Sequence, residues 1–564
     1  MKYVLGIDLG TTNCSVTAID ENGRTTVIKN SDGEYITPSA VWFSPEPNTF
    51  IVGKRAKSRS SDGDGRLVTL VKREMGRKKE EVRYDKTDRE FHPYSFWGRV
   101  FSPEEISSKI LLQLRRDVEK ELGQDVRDAV ITCPGYFGQN EKEATRLAGE
   151  LAGLNVIEVI PEPTAAALSY STVFDGKSGR VFVFDLGGGT FDITILELKN
   201  DQNGGISIET ERCGGDPKLG GADWDAFLLD YVISRFDQKF HFDLAFATGP
   251  EQERAYGKLK LDVERAKKEL SNAQETTISL EYGGQRLEER ITRQKYAEIT
   301  QQLTDRLRSY CQKLLSEASI SWSNIDTILM VGSMSNCPSV QDALREWSGK
   351  DVAFNVVNPK TCVSEGAAIR AYTKLCEREG RSAVVSSLAK KPNYESAEGG
   401  SAIAESVASS EQNGERTQTR IVSATSVLPS SICLKLRNAK TGQPWAFKML
   451  KKNGTYPCEF VRDFPIGRDG LPEVSLVVLE GESDNPSFCA ELGNAILPLD
   501  GNHSKEDRVR VTFRADENGI IQVAGLDLKT NRSVAAEIRR ANTLSKEEIE
   551  RAKKQAEEDE FVLA

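Results

Sequence analysis

VFVFDLGGGTFDITIL, residues 181–196, runs as an apolar strand, an aspartate, a turn of small residues and a second apolar strand. The same order occurs at the N-terminal end in YVLGIDLGTTNCSVTAI, residues 3–19. A strand follows each turn, which excludes the phosphate loop that seats its ligand on a helix N-terminus. Hairpin amides would cup phosphates instead, with Gly10, Gly187, Gly188 and Gly189 allowing close backbone approach. Thr11, Thr12, Asn13 and Thr190 add side-chain donors, and Asp8, Asp185 and Asp192 suit a hydrated Mg²⁺, which favours carboxylates and keeps waters. A lone glycine hairpin is usually only a turn. Two copies with matching aspartates in successive α/β halves predict a duplicated fold that clamps a nucleotide between two lobes.

Strand-like runs such as VFVFDL and IDTILMVG alternate with helical patterns over residues 1–378, the signature of an α/β architecture. Ala144, Leu147, Ala148, Leu151 and Ala152 share one helix face, which should pack on a sheet. Over 379–420 the composition shifts to Ser, Ala, Gly, Glu and Gln, which predicts a flexible polar linker. Within 421–535, VRVTFRADENGIIQV places Val509, Val511 and Phe513 on one face and Arg510, Thr512 and Arg514 on the other, then turns at Asn518-Gly519. That pattern predicts a hairpin with one wet face. Residues 536–564 end in TLSKEEIERAKKQAEEDE, expected as a short solvated helix capped by Thr543 or Ser545.

A chain of 564 residues suggests about three or four domains. The net charge of −10 with interspersed signs argues against a polyanion as main ligand, so no nucleic acid partner is expected. MKYVLGIDLG lacks the features of a secretory signal, and no run of about 18 apolar residues occurs, so the expectation is a cytoplasmic protein without a membrane partner. Ten cysteines without a C-x-x-C pair predict buried, reduced thiols. Chemistry must then rest on carboxylates, hydroxyls, lysines and a metal, because the three histidines have no metal-like spacing.

GIDLGTTN, the PGYF of Pro134 to Phe137, PEPTAAALSY at Pro161 to Tyr170, FDLGGGTFD and LGGADWD at Leu219 to Asp225 together resemble the seventy-kilodalton heat-shock chaperones. The resemblance covers roughly the first 375 residues and resumes from about Val427. It implies a duplicated actin- and hexokinase-like (ribonuclease-H-like) two-lobed ATPase domain, then a β-sandwich domain for extended apolar peptides and a truncated helical lid. It implies ATP or ADP with Mg as cofactors, and as partners unfolded polypeptide clients, a J-domain co-chaperone and a nucleotide-exchange factor. By the same resemblance Lys72 lies beside the γ-phosphate, Glu162 serves a metal water or lobe coupling, and Asp8, Asp185 and Thr190 complete the catalytic set. Alone, Lys72 would read as an exposed lysine and Glu162 as a plain helix-start carboxylate.

Glu264, Lys267, Lys268 and Ser271 recur on one helix face, by spacing alone a solvated charged face. The resemblance makes them adenosine contacts, joined by Gly332, Ser333, Met334 and Asn336 of the second-lobe loop. Peptide contacts are implied at Ile432, Leu434, Val474 and Leu476, though alternating apolar residues are first of all core.

Several positions depart from the family pattern. Ser333 replaces a glycine and Asn336 an arginine, so guanidinium stacking on adenine, worth about 0.5 to 2 kcal/mol, is lost. Lys360 replaces an acidic residue, Lys142 an arginine implicated in coupling, and the acidic, leucine-rich interdomain linker is missing. Two alternatives to an ATP-hydrolysing chaperone follow: a nucleotide-gated scaffold with little turnover, and a small-molecule kinase of the same superfamily.

Overall fold

The computed structural model describes residues 2–62, 66–77, 94–173, 178–200, 205–244, 249–350, 357–387, 417–437, 442–516, 519–538 and, beyond these, 547, 549–551, 553–554 and 560–561. The duplication read from the two hairpins is built into two six-stranded sheets. In the first, Tyr3–Asp8 pairs antiparallel with Asn13–Asp20 and parallel with Asp128–Cys133, which pairs onward with Asn155–Pro161. In the second, Gly179–Leu186 pairs antiparallel with Phe191–Asn200 and parallel with Thr327–Val331. Both central strands are buried on two faces, as near-continuous apolar runs require.

Each sheet has its own core, the second lobe's containing the fully buried Trp224, Phe182, Phe184, Phe191 and Phe236. A third apolar layer joins the lobes: the helices Glu162–Ser171 and Cys362–Arg378 pack with strand residues of both sheets, among them Val4, Val130, Val181 and Leu329. Their backbones nearly touch. A Cβ on Gly366 would fall 1.7 Å from Ala165 O, and one on Gly6 would fall 2.0 Å from Ala368 N, so small residues at these crossings set the lobes' spacing. The helix Gln139–Leu151 buries the expected Ala144, Leu147, Ala148 and Leu151.

Part of the segment expected as a flexible linker is strand. Ala383–Ser387 and Thr417–Thr425 pair antiparallel, and Thr417–Thr425 adds in parallel to the second-lobe strand Gly205–Asp216. Ala383 and Val385 are buried within that segment, and Ile421 and the half-buried Ala424, expected in the β-sandwich span, pack in the same inter-lobe layer, so residues 421–425 belong to the second-lobe sheet. The rest of the linker, residues 388–416, lies outside the described residues.

Beyond it lie two four-stranded antiparallel sheets, Pro444–Leu450/Ile432–Arg437/Glu473–Glu480/Ala490–Pro498 and Cys458–Pro465/Arg508–Ala515/Ile521–Asp527/Ser533–Glu537. They share one core. The expected hairpin is present: Val509, Val511 and Phe513 point inward, Arg510 and Arg514 outward, and the strands pair from Val509↔Asp527 to Ala515↔Ile521. Gly519 holds φ +78°, whereas Asn518 lies outside the described residues.

The C-terminal segment is helical at the described residues 547, 549–551 and 553–554, mostly exposed as expected, but it is not wholly solvated and its end is not helix. Thr543 and Ser545 lie outside the described residues, but Ile549 packs on Leu147 and Leu151 of the first lobe. Glu560–Phe561 pairs in parallel with Thr49–Val52, so the end of the expected helix is a strand. The ten cysteines are free thiols, eight of them buried. Among the described residues no helix is long and apolar enough to cross a membrane.

The β region contacts the lobes at several points. Glu480 Oε2 accepts the Gln139 N–H at 3.0 Å, at the start of a helix that has no side-chain cap of its own. Lys142 Nζ lies 5.6 Å from the Tyr456 ring centroid, and the Cys213 N–H donates to Asn453 Oδ1 at 3.5 Å.

Candidate functional site

The two glycine turns meet face to face between the lobes. A Cβ on Gly188 would lie 2.0 Å from Thr12 Oγ1, and one on Gly189 would lie 2.2 Å from Thr11 Cγ2. Gly220 makes the same demand, since its Cβ would come within 2.5 Å of Gly189 backbone atoms. The LGGADWD segment thus abuts the second hairpin, and Gly221 N–H and Ala222 N–H donate to Gly187 O and Gly188 O at 3.0 and 2.7 Å. Thr11 Oγ1 is buried without a hydrogen-bond partner, a hydroxyl that a phosphate oxygen would satisfy.

Asp8 ends its strand, and Asp185 and Asp192 stand opposite each other in register. Thr132 Oγ1 donates to Asp8 at 3.4 Å, and the Gly135 N–H of the PGYF turn donates to Asp192 at 2.6 Å across the lobe boundary. Burial and then the Glu162 carboxylate push the Asp8 carboxyl up to about 7. Burial, followed by Glu162, Asp192 and Asp8, drives Asp185 well above the carboxylate range, and burial and Glu162 do the same to Asp192.

Lys72, in the short turn Val71–Glu74, is 3% exposed and ion-paired with Glu162 at the start of its helix. Burial works against the Lys72 charge, but Glu162 and Asp8 outweigh it and hold the ammonium above its ordinary value. One buried cation therefore faces four carboxylates. That excess of negative charge in a dry site fits a divalent cation. Among the described residues no three His, Cys, Asp or Glu side chains stand close enough to ligate a metal directly. The group fits a hydrated ion held through its waters, not a dehydrated one.

Arg73, absent from the sequence reading, crosses the lobes beside this cluster. Its guanidinium donates to Gly189 O at 2.8 Å and pairs with Asp223 at 2.5 Å. Its only signal was its place after Lys72 in LVKREMGR.

The residues expected to contact adenosine are brought together less completely. Lys267 Nζ donates to Gly221 O at 2.9 Å and pairs with Asp225 at 2.7 Å. Met334 is buried, its Sδ 3.3 Å from where a Cβ on Gly221 would be. Glu264 bridges the lobes instead of facing solvent: Lys57 of the first lobe lies at 2.6 Å and Lys268 at 2.8 Å. Burial opposes its charge, yet these two ammonium groups hold the Glu264 carboxyl down at about 2. Lys268 and Asn336 are largely exposed, Ser271 caps the helix Pro250–Leu270, and Ser333 is exposed beside Gly332 at φ +84°.

Of the expected peptide contacts, Ile432, Leu434 and Leu476 are 0–2% exposed within the core between the β sheets, so they line no open surface. Val474 is half-buried at the rim, with Leu436, Phe447, Phe464, Ile466 and Leu471, which the sequence reading missed. Phe447 and Phe464 meet edge to face at 5.5 Å, and the Arg462 guanidinium lies 4.5 Å from Phe447. These side chains lie partly buried against the core that the two β sheets share.

A family model described as Hsp70 protein matches residues 4–390 and 391–561, the lobes and the β region alike. With the paired hairpins, the buried lysine and the second β unit in place, the chain belongs to the Hsp70 family of ATP-binding chaperones.

Proposed function

We propose that this chain hydrolyses ATP between its two lobes and binds extended apolar polypeptide at the half-buried apolar side chains of its β region, Val474, Phe447 and Phe464 among them. The observation that carries the hydrolase reading is Lys72, buried and ion-paired with Glu162, amid Asp8, Asp185 and Asp192 where the two glycine turns meet. The amides of residues 10–13 and 187–190, with the Thr11, Thr12 and Thr190 hydroxyls, would cup the phosphates. Lys72 would hold the γ-phosphate and the attacking water, and Glu162 would fix its ammonium in place. Mg²⁺, its waters held by Asp8, Asp185 and Asp192, would neutralise charge on the β- and γ-phosphates. An ATP titration with single-turnover hydrolysis, with and without Mg²⁺, tests this. Metal-independent binding with no phosphate release would overturn it, and a phosphorylated acceptor would point to a kinase.

A nucleotide-gated scaffold is the second reading, favoured by Lys267 being engaged with Asp225 and by the exposed Asn336. Asn336→Arg is expected to tighten ADP binding by about 1 kcal/mol, by restoring a planar cation beside the base. Calorimetry decides: unchanged affinity means that this loop does not face the adenine.

Thr417–Thr425 supplies a shared element that the composition of the linker did not promise, since it belongs to the second-lobe sheet and leads towards the β region. ATP-dependent peptide release is therefore proposed for this chain. Docking of the β region should also respond to pH through Glu480. Burial and then Glu141 push its carboxyl from an ordinary 4.5 to about 7, against the Gln139 amide and Lys142. The docked state thus binds the proton more tightly than a solvated carboxylate would. The stabilisation is full below about 4.5 and is lost as pH rises through 7. Energy transfer between dyes on the first lobe and the β region should fall from pH 6 to 8. In Glu480→Gln, which keeps the acceptor without the charge, it should stay high at both.

A further inference from the structure

Where the first lobe, the inter-lobe helices and the β region meet, the protein holds a cavity of about 30 Å³. Its lining comes from segments far apart in the chain: Lys142 of the helix Gln139–Leu151, Thr164 of the helix Glu162–Ser171, Ser426 just beyond the strand Thr417–Thr425, and Tyr456 of the β region, with Arg370 and Glu158. Arg370 and Glu158 satisfy each other through two hydrogen bonds, and their charges cancel. Lys142 has no such partner. It is 9% exposed, and among the described residues its ammonium makes no hydrogen bond and no ion pair. The Tyr456 ring, 5.6 Å away, offers only the weaker attraction of a π face, and the Tyr456 hydroxyl is itself buried without a hydrogen-bond partner. Glu480 acts on Lys142 from a distance without pairing with it, and burial, then Glu141, pushes the Glu480 carboxyl up to about 7.

A buried ammonium without an acceptor is strongly unfavourable, so this joint requires one. A water accepts hydrogen bonds but adds two donors of its own, and it leaves the charge of Lys142 uncompensated. An anion only accepts, which matches an ammonium and a phenolic hydroxyl that both have a proton to give, and it cancels the charge. Size narrows the class further. A volume of about 30 Å³ is the room of about one or two waters, enough for a monatomic ion and too little for a phosphate or a peptide carboxylate.

We propose that this cavity binds a halide ion of the chloride class, held by the Lys142 ammonium and the Tyr456 hydroxyl, and that the ion fastens the β region to the first lobe. Lys142 and Tyr456 belong to different units and come together only where these dock. The ion therefore binds the docked arrangement alone and draws the equilibrium towards it by mass action. Ordinary salt acts differently, because screening weakens every exposed charge pair whatever the anion. Neither nucleotide nor peptide enters into the effect.

Energy transfer between dyes on the first lobe and the β region of the full chain reads docking at pH 6, where Glu480 keeps its proton. As chloride replaces gluconate at constant ionic strength, from about 1 to 100 mM, the docking constant should rise about tenfold, as mass action gives for a site half-filled at about 10 mM. Lys142→Gln should flatten the response. Tyr456→Phe, which keeps the ring and removes only the hydroxyl, should raise the half-saturating chloride concentration about tenfold, and it carries the test even if Lys142→Gln does not dock. The chlorine NMR line should broaden with the unmodified chain and less with either variant. Docking that responds equally to chloride and gluconate, with no broadening that depends on Lys142 or Tyr456, means that water alone fills the cavity and overturns the site. Broadening that depends on these residues while docking ignores chloride overturns the fastening role.

Discussion

Lys72→Ala is expected to slow single-turnover ATP hydrolysis by about 100- to 1000-fold while nucleotide still binds. Removal of one preorganised group that stabilises developing charge costs about 3 to 4 kcal/mol of barrier. Here the loss falls on a side chain only 3% exposed, paired with Glu162 and close to Asp8, so neighbouring water has little room to stand in. The hairpin amides and Thr11 remain, which is why binding should persist. Rapid-quench assays of the bound complex read the rate directly. A variant hydrolysing at the parental rate would show that Lys72 is only the counter-ion of Glu162. Glu162→Gln separates the roles further, because it leaves Lys72 present but without its fixed partner.

Arg370→Met should destabilise the chain by about 3–5 kcal/mol, the cost of leaving one partner of a buried pair behind. Arg370 is 9% exposed in its helix between the lobes and donates to both Glu158 oxygens, at 2.8 and 3.1 Å, on a strand of the first sheet. Removing the cation strands the carboxylate in a low-dielectric site. Replacing both members, Arg370→Met with Glu158→Leu, should recover most of the loss, since two apolar groups need no compensation. Urea unfolding of the single and double variants checks this, and an equally unstable double variant would trace the defect to packing instead.

The hairpins were legible because their requirements are local. A strand, an aspartate, small residues and another strand specify a turn whose amides face outward, and duplication of the pattern could be counted along the chain. Alternation at 509–513 likewise assigned each side chain to a face, and burial follows it residue by residue. The linker misled because Thr417–Thr425 has little apolar character of its own. It becomes a strand only because the edge of Gly205–Asp216 offers unpaired amides and carbonyls, and no local sequence can announce a neighbour's edge. The terminal Glu560–Phe561 pairing on Thr49–Val52 was hidden for the same reason.

At the site, the identities of Asp8, Asp185, Asp192 and the glycines were fixed by sequence, since close approach and charge are properties of single residues. Their convergence was not. Lys72 reads as a solvent-exposed lysine until folding buries it against Glu162, and Arg73 has no visible task until Gly189 and Asp223 arrive from the other lobe. The apolar rim of the β region shows the converse. Alternation named Ile432, Leu434 and Leu476 as apolar and inward, and only the packing of one sheet on the other decided that they are sealed core while Val474, Phe447 and Phe464 stay half open. Sequence by itself determined which chemistry this chain carries, because hydrogen-bonding capacity, charge and backbone freedom belong to residues. Tertiary structure alone decided which groups are desolvated and which meet, because dielectric environment and distance depend on segments far apart in the chain.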